Sequence, residues 1–191
     1  MTTGTKLIDL SREIRSPIRR GVYRLVAPPV EAFLAIEKLN KTYRTVRADG
    51  LPRESFLSGI LENLNVTYEV SEEDLERIPG DGPLVTVSNH PFGGLDAMMV
   101  ADLLLKHRPD SKFLANSLLK RVPEAEPIII GVDPFGGEGA KLRNLRGMRE
   151  SIKWLRDGHC LGTFPAGEVA HLKLRERSVI DPPWSPSVAG L

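Results

Sequence analysis

The sequence predicts an α/β layered domain that is preceded by a helical N-terminal segment, and three observations support this fold class. From about residue 80 onward, short apolar runs alternate with amphipathic helical patterns, as in a sheet covered by helices. Before about residue 65, apolar residues recur mostly at helical spacing. The segment SNHPFGGLD at 88–96 joins a strand end, a glycine-rich loop and a helix start, which is the usual setting of a ligand crevice.

Residues 1–50 are predicted to be helical and to begin with a basic amphipathic helix. Between residues 12 and 24 there are five arginines and one glutamate, a local charge of +4. Such a helix either lies on an anionic membrane surface or packs its apolar stripe on its own domain, and the sequence leaves both open. The stripe recurs at helical spacing: Ile14, Ile18, Val22 and Leu25.

Residues 51–191 are predicted to form the α/β domain, with an incomplete C-terminus. Ser71 followed by Asp74 resembles a capping box that opens a short helix. Helices are predicted at about 29–46, 52–63, 95–106 and 141–157, where apolar residues follow the helical period. Strands are predicted at 66–70, 83–88 (PLVTVS), 112–115 (KFLA), 127–132 (PIIIGV) and 159–164 (HCLGTF).

Composition excludes several classes of function. A net charge of +1 argues against a nucleic-acid binder, and no apolar run approaches the roughly 18 residues that a membrane span needs. The start shows no secretory signal, so a cytosolic chain is expected. His107 and His171 lack metal-ligand spacing, and Cys160 in an apolar strand is expected to be a buried structural thiol.

His90 and Asp96 are the candidate catalytic pair. A histidine can act as a general base near neutral pH when a carboxylate orients its ring. Gly93 and Gly94 allow a substrate to approach the backbone closely. The alternative is that Asp96 simply favours the first turn of the next helix through the helix dipole.

Two motifs resemble those of the glycerolipid acyltransferases, the superfamily of lysophosphatidic acid acyltransferase. SNHPFGGLD at 88–96 is similar to their first motif, and TFPAGEVA at 163–170 is similar to their third. IIIGVD at 128–133 stands in the place of the second, and the resemblance covers roughly residues 50–188. The closer match is a bacterial branch labelled as hemolysins, similar to lyso-ornithine-lipid acyltransferases. That label implies no pore here, because the chain has neither a span nor a secretion signal.

The resemblance implies a function for these residues. His90 would take the proton of an acceptor hydroxyl and Asp96 would orient His90, with no metal, cofactor or covalent acyl-enzyme intermediate. The acyl donor would be acyl carrier protein or acyl-CoA, the acceptor a lysolipid, and the location the cytoplasmic face of the inner membrane on an anionic surface. Substrate-binding residues would be Asn89, Gly93, Gly94, Phe164, Pro165, Gly167 and Glu168.

The sequence departs from the family pattern in three places. Five residues instead of four separate His90 from Asp96, so the loop needs a bulge or a looser turn. Val169 stands where the family has a phosphate-holding arginine, which argues against a glycerol-phosphate acceptor. Glu168 could meet a cationic head group such as an ornithine amine, or pair locally with Arg175. Asp133 replaces a cation of the second motif, for which Arg143 or Arg146 could substitute, although a solvated helix face is the simpler interpretation.

The chain stops at SPSVAGL, before the family's fourth motif, and a truncated product is therefore expected. The alternative function is a non-catalytic lipid-surface binding module that has lost its chemistry.

Overall fold

The computed structural model describes residues 36–48, 50, 55–133, 139–173, 178–180 and 182–191. The chain forms two compact units, residues 1–67 and residues 68–191. The predicted basic helix between residues 11 and 25 lies outside the described residues.

The first unit contains two described helices, α1 (Ile36–Ala48) and α2 (Phe56–Asn63), which confirms the two predicted helices over their described parts. Tyr43 and Phe56 are buried and meet edge to face, with ring centroids 5.8 Å apart. Val46, Ile60 and Leu61 complete the described apolar core of this unit. The amphipathic spacing read from the sequence therefore marks a true buried face.

The second unit alternates strands and helices, as predicted. In chain order it comprises α3 (Glu72–Glu76), β1 (Leu84–Val87), α4 (Gly94–His107), β2 (Lys112–Asn116), β3 (Ile129–Val132), α5 (Ala140–Arg156), β4 (Cys160–Thr163), β5 (His171–Lys173) and β6 (Ser178–Ile180), with 3₁₀ turns at Ser117–Arg121, Glu126–Ile128 and Pro186–Gly190. Within the described ranges, no helix combines the length and apolar character needed to cross a membrane.

Strands β1 to β4 form one parallel sheet in the order β1-β4-β2-β3, which confirms the α/β class. All four residues of β4 are buried, as expected for a central strand. Because the strands are parallel, their carboxyl ends share one edge of the sheet. The antiparallel pair β5 and β6, which lies outside this sheet, was not predicted from the sequence.

The strand predicted at 66–70 is wrong. These residues have no regular secondary structure, although Val66, Tyr68 and Val70 alternate as in a strand. Alternation alone cannot form a strand, because the backbone groups need a neighbouring strand as hydrogen-bond partner. Tyr68 instead donates its hydroxyl to Asp102 at 2.6 Å. The predicted helix start is confirmed, since Ser71 is the N-cap whose hydroxyl oxygen accepts the Asp74 N–H at 3.1 Å, and α3 follows.

Two glycines allow close packing in the second unit. A Cβ on Gly162 of β4 would lie 2.5 Å from the Phe113 ring, and one on Gly147 of α5 would lie 2.7 Å from the Gly131 carbonyl oxygen. Helix α5 can therefore approach β3 directly. Ile130, Leu155 and Leu161 form the core cluster beneath this contact.

Arg108 is the most buried charged side chain described, with 1% of its surface exposed. Its guanidinium donates two hydrogen bonds to the Asp110 carboxylate at 2.8 Å. It also donates to the carbonyl oxygens of Pro79 at 2.9 Å, Gly82 at 2.8 Å and Gly158 at 3.3 Å. The hydrogen bonds from Arg108 lower the pKa of the Asp110 carboxyl to about 2, so the buried guanidinium and the half-buried carboxylate both stay charged at neutral pH. One side chain thus holds the turns that precede β1, β2 and β4.

We expect Arg108→Ala to lower the free energy of unfolding by about 3–5 kcal/mol, because it leaves three carbonyl groups without this donor and removes the cation that pairs with Asp110. Arg77→Ala is the control. Arg77 pairs with Glu73 and Asp74 on the surface, where such pairs contribute about 1 kcal/mol or less. Urea denaturation of both variants measures the difference, and equal losses would contradict the role assigned to Arg108.

Candidate active site

The pairing of β1 with β4 brings the first and third motifs together. Val87 is in register with Thr163, and the Ser88 N–H donates to the Thr163 carbonyl oxygen at 3.2 Å. His90 and Phe164 leave these two strands at the same edge, so their rings stack with centroids 4.4 Å apart and an angle of 32°. Residues more than 70 positions apart therefore share one site at the carboxyl edge of the sheet.

The predicted pair is present in the structure. His90 Nδ1 lies 3.5 Å from Asp96 Oδ2, an ion-pair separation that is longer than a well-formed hydrogen bond. Asp96 lies in the first turn of α4 and is buried, and the His90 side chain is 19% exposed. A carboxylate on the Nδ1 side favours the tautomer with the proton on Nδ1, which places the ring's lone pair on Nε2. This is the arrangement that a general base needs.

Asp96 also closes the loop that contains the additional residue. Its Oδ2 accepts the Phe92 backbone N–H at 2.7 Å. Gly93 takes a left-handed φ of 67° and serves as the N-cap of α4. The expected bulge is therefore a turn at Gly93 that the Asp96 carboxylate holds in place. Sequence reasoning assigned Asp96 only to His90 or to the helix dipole and missed this third contact.

Val169 packs against the same loop. A Cβ added to Gly93 would lie 3.0 Å from Val169 Cγ1, so the third motif covers the backbone of the first. Phe92 next to it is 73% exposed and Val169 is 41% exposed. Two departures from the family pattern, the longer loop and the missing arginine, thus meet in space. No sequence signal linked them, because they are far apart along the chain.

The other predicted substrate-binding residues have different surroundings. Asn89 and Gly94 are exposed at the loop, and Phe164 stacks on His90. Pro165 is buried, and its carbonyl oxygen accepts the Ser185 N–H at 2.9 Å. Their contact with substrate stays a prediction. Gly167 forms a tight turn with φ of 70°, donating its N–H to the Phe164 carbonyl oxygen at 3.0 Å, and Glu168 after it is exposed.

At the end of β3, Asp133 is tied to α5. Arg143 forms an ion pair with its carboxylate at 2.6 Å. Asn144 accepts the Asp133 N–H at 2.7 Å and donates to the Asp133 carbonyl oxygen at 3.0 Å. Asp133 stands where the second motif of the family has a cation, and Arg143 places a positive charge beside it. Arg146 lies on the exposed face of the helix.

Other candidate groups do not add chemistry to this site. Cys160 is fully buried, and burial raises the pKa of its thiol, so it suits the predicted structural role. Across the described ranges there is no group of three or more His, Cys, Asp or Glu side chains that could hold a metal ion.

Comparison with known proteins identifies the family. A family model described as acyltransferase matches residues 30–190, and the chain belongs to this family. The predicted acyltransferase resemblance is therefore confirmed.

Two curated relatives are both named lyso-glycine lipid O-acyltransferase. The one from Phocaeicola vulgatus is 33% identical over 113 residues, which cover 59% of this chain and 38% of the relative. The one from Bacteroides thetaiotaomicron is 32% identical over 82 residues, 42% of this chain and 29% of the relative. The chain thus spans less than two fifths of the length of these relatives.

The turn at Gly93 gives a test of the loop geometry. We expect Gly93→Ala to reduce any activity of the site and to destabilise the protein by about 1 kcal/mol or more, because alanine disfavours a positive φ and its Cβ would press on Val169. Gly94→Ala is the matched control, since Gly94 begins α4 and has nothing within 4 Å of an added Cβ. Thermal unfolding of the two variants measures the effect. Equal melting temperatures would show that the loop does not depend on Gly93.

Proposed function

We propose that this chain transfers a fatty acyl group from a thioester to the hydroxyl of a lysolipid. The observation that carries the proposal is the His90–Asp96 pair, 3.5 Å apart at the carboxyl edge of a parallel sheet. The acyltransferase family match supports the reaction class. The relatives named lyso-glycine lipid O-acyltransferase support a lysolipid as acceptor.

In the proposed mechanism, His90 Nε2 removes the proton from the acceptor hydroxyl as its oxygen attacks the thioester carbonyl carbon. The C–O bond forms, and the tetrahedral intermediate then breaks the C–S bond. The imidazolium returns the proton to the departing sulfur, so an ester and a free thiol result. Asp96 stabilises the imidazolium that exists between the two proton transfers.

Neighbouring groups hold this pair in place. The Phe164 ring supports one face of the His90 imidazole, and the Phe92 N–H fixes the Asp96 carboxylate oxygen that faces Nδ1. Both contacts reduce the rotational freedom of the two side chains before substrate binds. Such preorganisation lowers the free energy needed to reach the reacting geometry.

For the acceptor, we propose a lysolipid with an amino-acid head group. Val169 is apolar where the family has an arginine that holds a phosphate. Its side chain packs against the Gly93 backbone. The names of the two relatives agree with an amino-acid lipid. Lyso-ornithine lipid is included in this proposal because the exposed Glu168 follows the same turn.

For the donor and the location, we propose acyl carrier protein or acyl-CoA and a peripheral position on the cytoplasmic face of the inner membrane. A lysolipid acceptor resides in a bilayer, so the site must reach a membrane surface. The basic pattern between residues 12 and 24 suits such a surface.

The catalytic pair can be tested by substitution. We expect His90→Ala to lower kcat about a thousandfold, because the acceptor hydroxyl loses its general base. Asp96→Asn should lower it about a hundredfold or more, because an amide can still accept the Phe92 N–H but cannot stabilise an imidazolium. Acylation of lyso-glycine lipid by purified protein measures both.

His107→Ala is the matched control, since His107 lies in the last turn of the same helix, where its Nδ1 lies 2.9 Å from the Leu103 carbonyl oxygen. It should retain wild-type turnover. A folded wild-type chain that binds lipid vesicles but transfers no acyl group would instead support the lipid-surface binding module. Wild-type turnover by His90→Ala would refute the assigned base.

Acceptor selectivity provides a second test. We expect the wild-type chain to acylate lyso-glycine or lyso-ornithine lipid at least about tenfold faster than lysophosphatidic acid, and Val169→Arg to remove most of that preference. A guanidinium at this position would supply a charge-assisted hydrogen bond to phosphate, worth about 1.5–3 kcal/mol. Ratios of kcat/KM over the three acceptors measure the change.

Val169→Met is the control for side-chain size without charge and should leave the preference as it is. A wild-type preference for lysophosphatidic acid would contradict the proposed head group. A preference for lyso-ornithine over lyso-glycine lipid that Glu168→Gln abolishes would assign the ornithine amine to Glu168.

A further inference from the structure

Helix α5 has a strongly basic outer face that the proposed mechanism does not use. The helix contains six basic residues and one acidic residue, a net +5, whereas the whole chain carries +1, so the remaining residues sum to −4. Its inner face is buried through small or apolar residues, among them Ala140, Gly147 and Leu155. The residues opposite are exposed: Leu142, Leu145, Arg146, Arg149, Lys153 and Arg156.

One end of this face lies at the carboxyl edge of the sheet, where the candidate site is. Asn144 in the second turn of α5 makes two hydrogen bonds to the backbone of Asp133, directly after β3. A Cβ on Gly147 would lie 3.0 Å from Val132 Cγ1 at the end of β3. The first two turns of α5 are therefore level with the strand ends. Leu142 and Leu145 lie in these turns and are 55% and 54% exposed.

We propose, on the basis of the proposed thioester-to-hydroxyl transfer, that the outer face of α5 docks an acidic carrier protein that bears the acyl group. Arginine forks match carboxylates bidentately, and Arg146, Arg149 and Arg156 are spread over about 15 Å of helix, the length of a partner helix of about 10 residues. Leu142 and Leu145 provide the apolar anchor that an interface needs within a polar rim. Both leucines lie in the first two turns of α5, level with the carboxyl ends of the strands.

The same features fit a membrane surface less well. A helix that lies in a bilayer interface inserts a broad apolar face, and the apolar face of α5 packs on its own sheet. Only two leucines at one end remain exposed among otherwise basic positions. Anionic lipid would therefore meet this helix almost entirely through charge.

Charge reversal tests the docking face. We expect Arg149→Glu to raise the KM for an acyl carrier protein thioester about tenfold, because a repulsive contact replaces an attractive one, and to leave kcat unchanged. With the same acyl group on pantetheine, which lacks acidic protein and nucleotide phosphate, the KM should change less than about twofold. Arg44→Glu makes the same change of charge at an exposed position of α1, and it should leave both KM values unchanged.

Direct binding separates this proposal from the proposed function. His90→Ala should bind holo acyl carrier protein as the wild type does in titration calorimetry, and the double variant with Arg149→Glu should lose about tenfold in affinity. This readout requires no turnover, so it stands even if the chain transfers no acyl group. An equal change of KM for both donors in Arg149→Glu would overturn the proposal. So would an unchanged affinity of the double variant for the carrier protein. If Arg149→Glu lost binding to vesicles containing one third phosphatidylglycerol but still bound the carrier protein, the outer face of α5 would be assigned to the membrane.

Discussion

The buried guanidinium of Arg108 is the constraint on which the second unit depends. It joins Pro79 and Gly82 before β1, Asp110 before β2 and Gly158 before β4. These three strands are neighbours in the sheet. A guanidinium has five N–H donors, which a single partner cannot satisfy. The Arg108 charge therefore stays buried only while all these turns are in place. Breaking one turn would leave polar groups unpaired, so the strand starts form as a unit.

A parallel sheet transmits that constraint to its opposite edge. Once the first residues of β1 and β4 are aligned, the pairing of Leu84 with Cys160 requires the pairing of Val87 with Thr163. His90 and Phe164 then leave the sheet side by side. Each strand is only four residues long, so a slip of one position would turn every side chain to the other face and separate the two motifs. One edge therefore contains the Arg108 contacts and the other contains the candidate site.

Two departures from the family pattern, the longer loop and Val169, are in contact with each other. In the loop with the additional residue, the Gly93 backbone lies against the third motif, where it meets a compact apolar side chain, Val169. The Asp96 carboxylate compensates for the longer loop by accepting the Phe92 N–H, and it still faces His90 through the same oxygen. The candidate pair is thus present beside an apolar side chain, Val169.

The α/β class, most of the element boundaries, the N-cap at Ser71 and the proximity of His90 and Asp96 could be predicted from the sequence alone. These depend on local periodicity and on residue type, which a single chain displays directly. The sequence prediction failed at residues 66–70, because alternation does not reveal whether a partner strand exists. Three contacts became visible only in the folded chain: Asp96 closes the loop, Phe164 supports His90 and Val169 covers Gly93. These contacts arise from strand order and register, which join distant segments and leave no periodic signal along the chain.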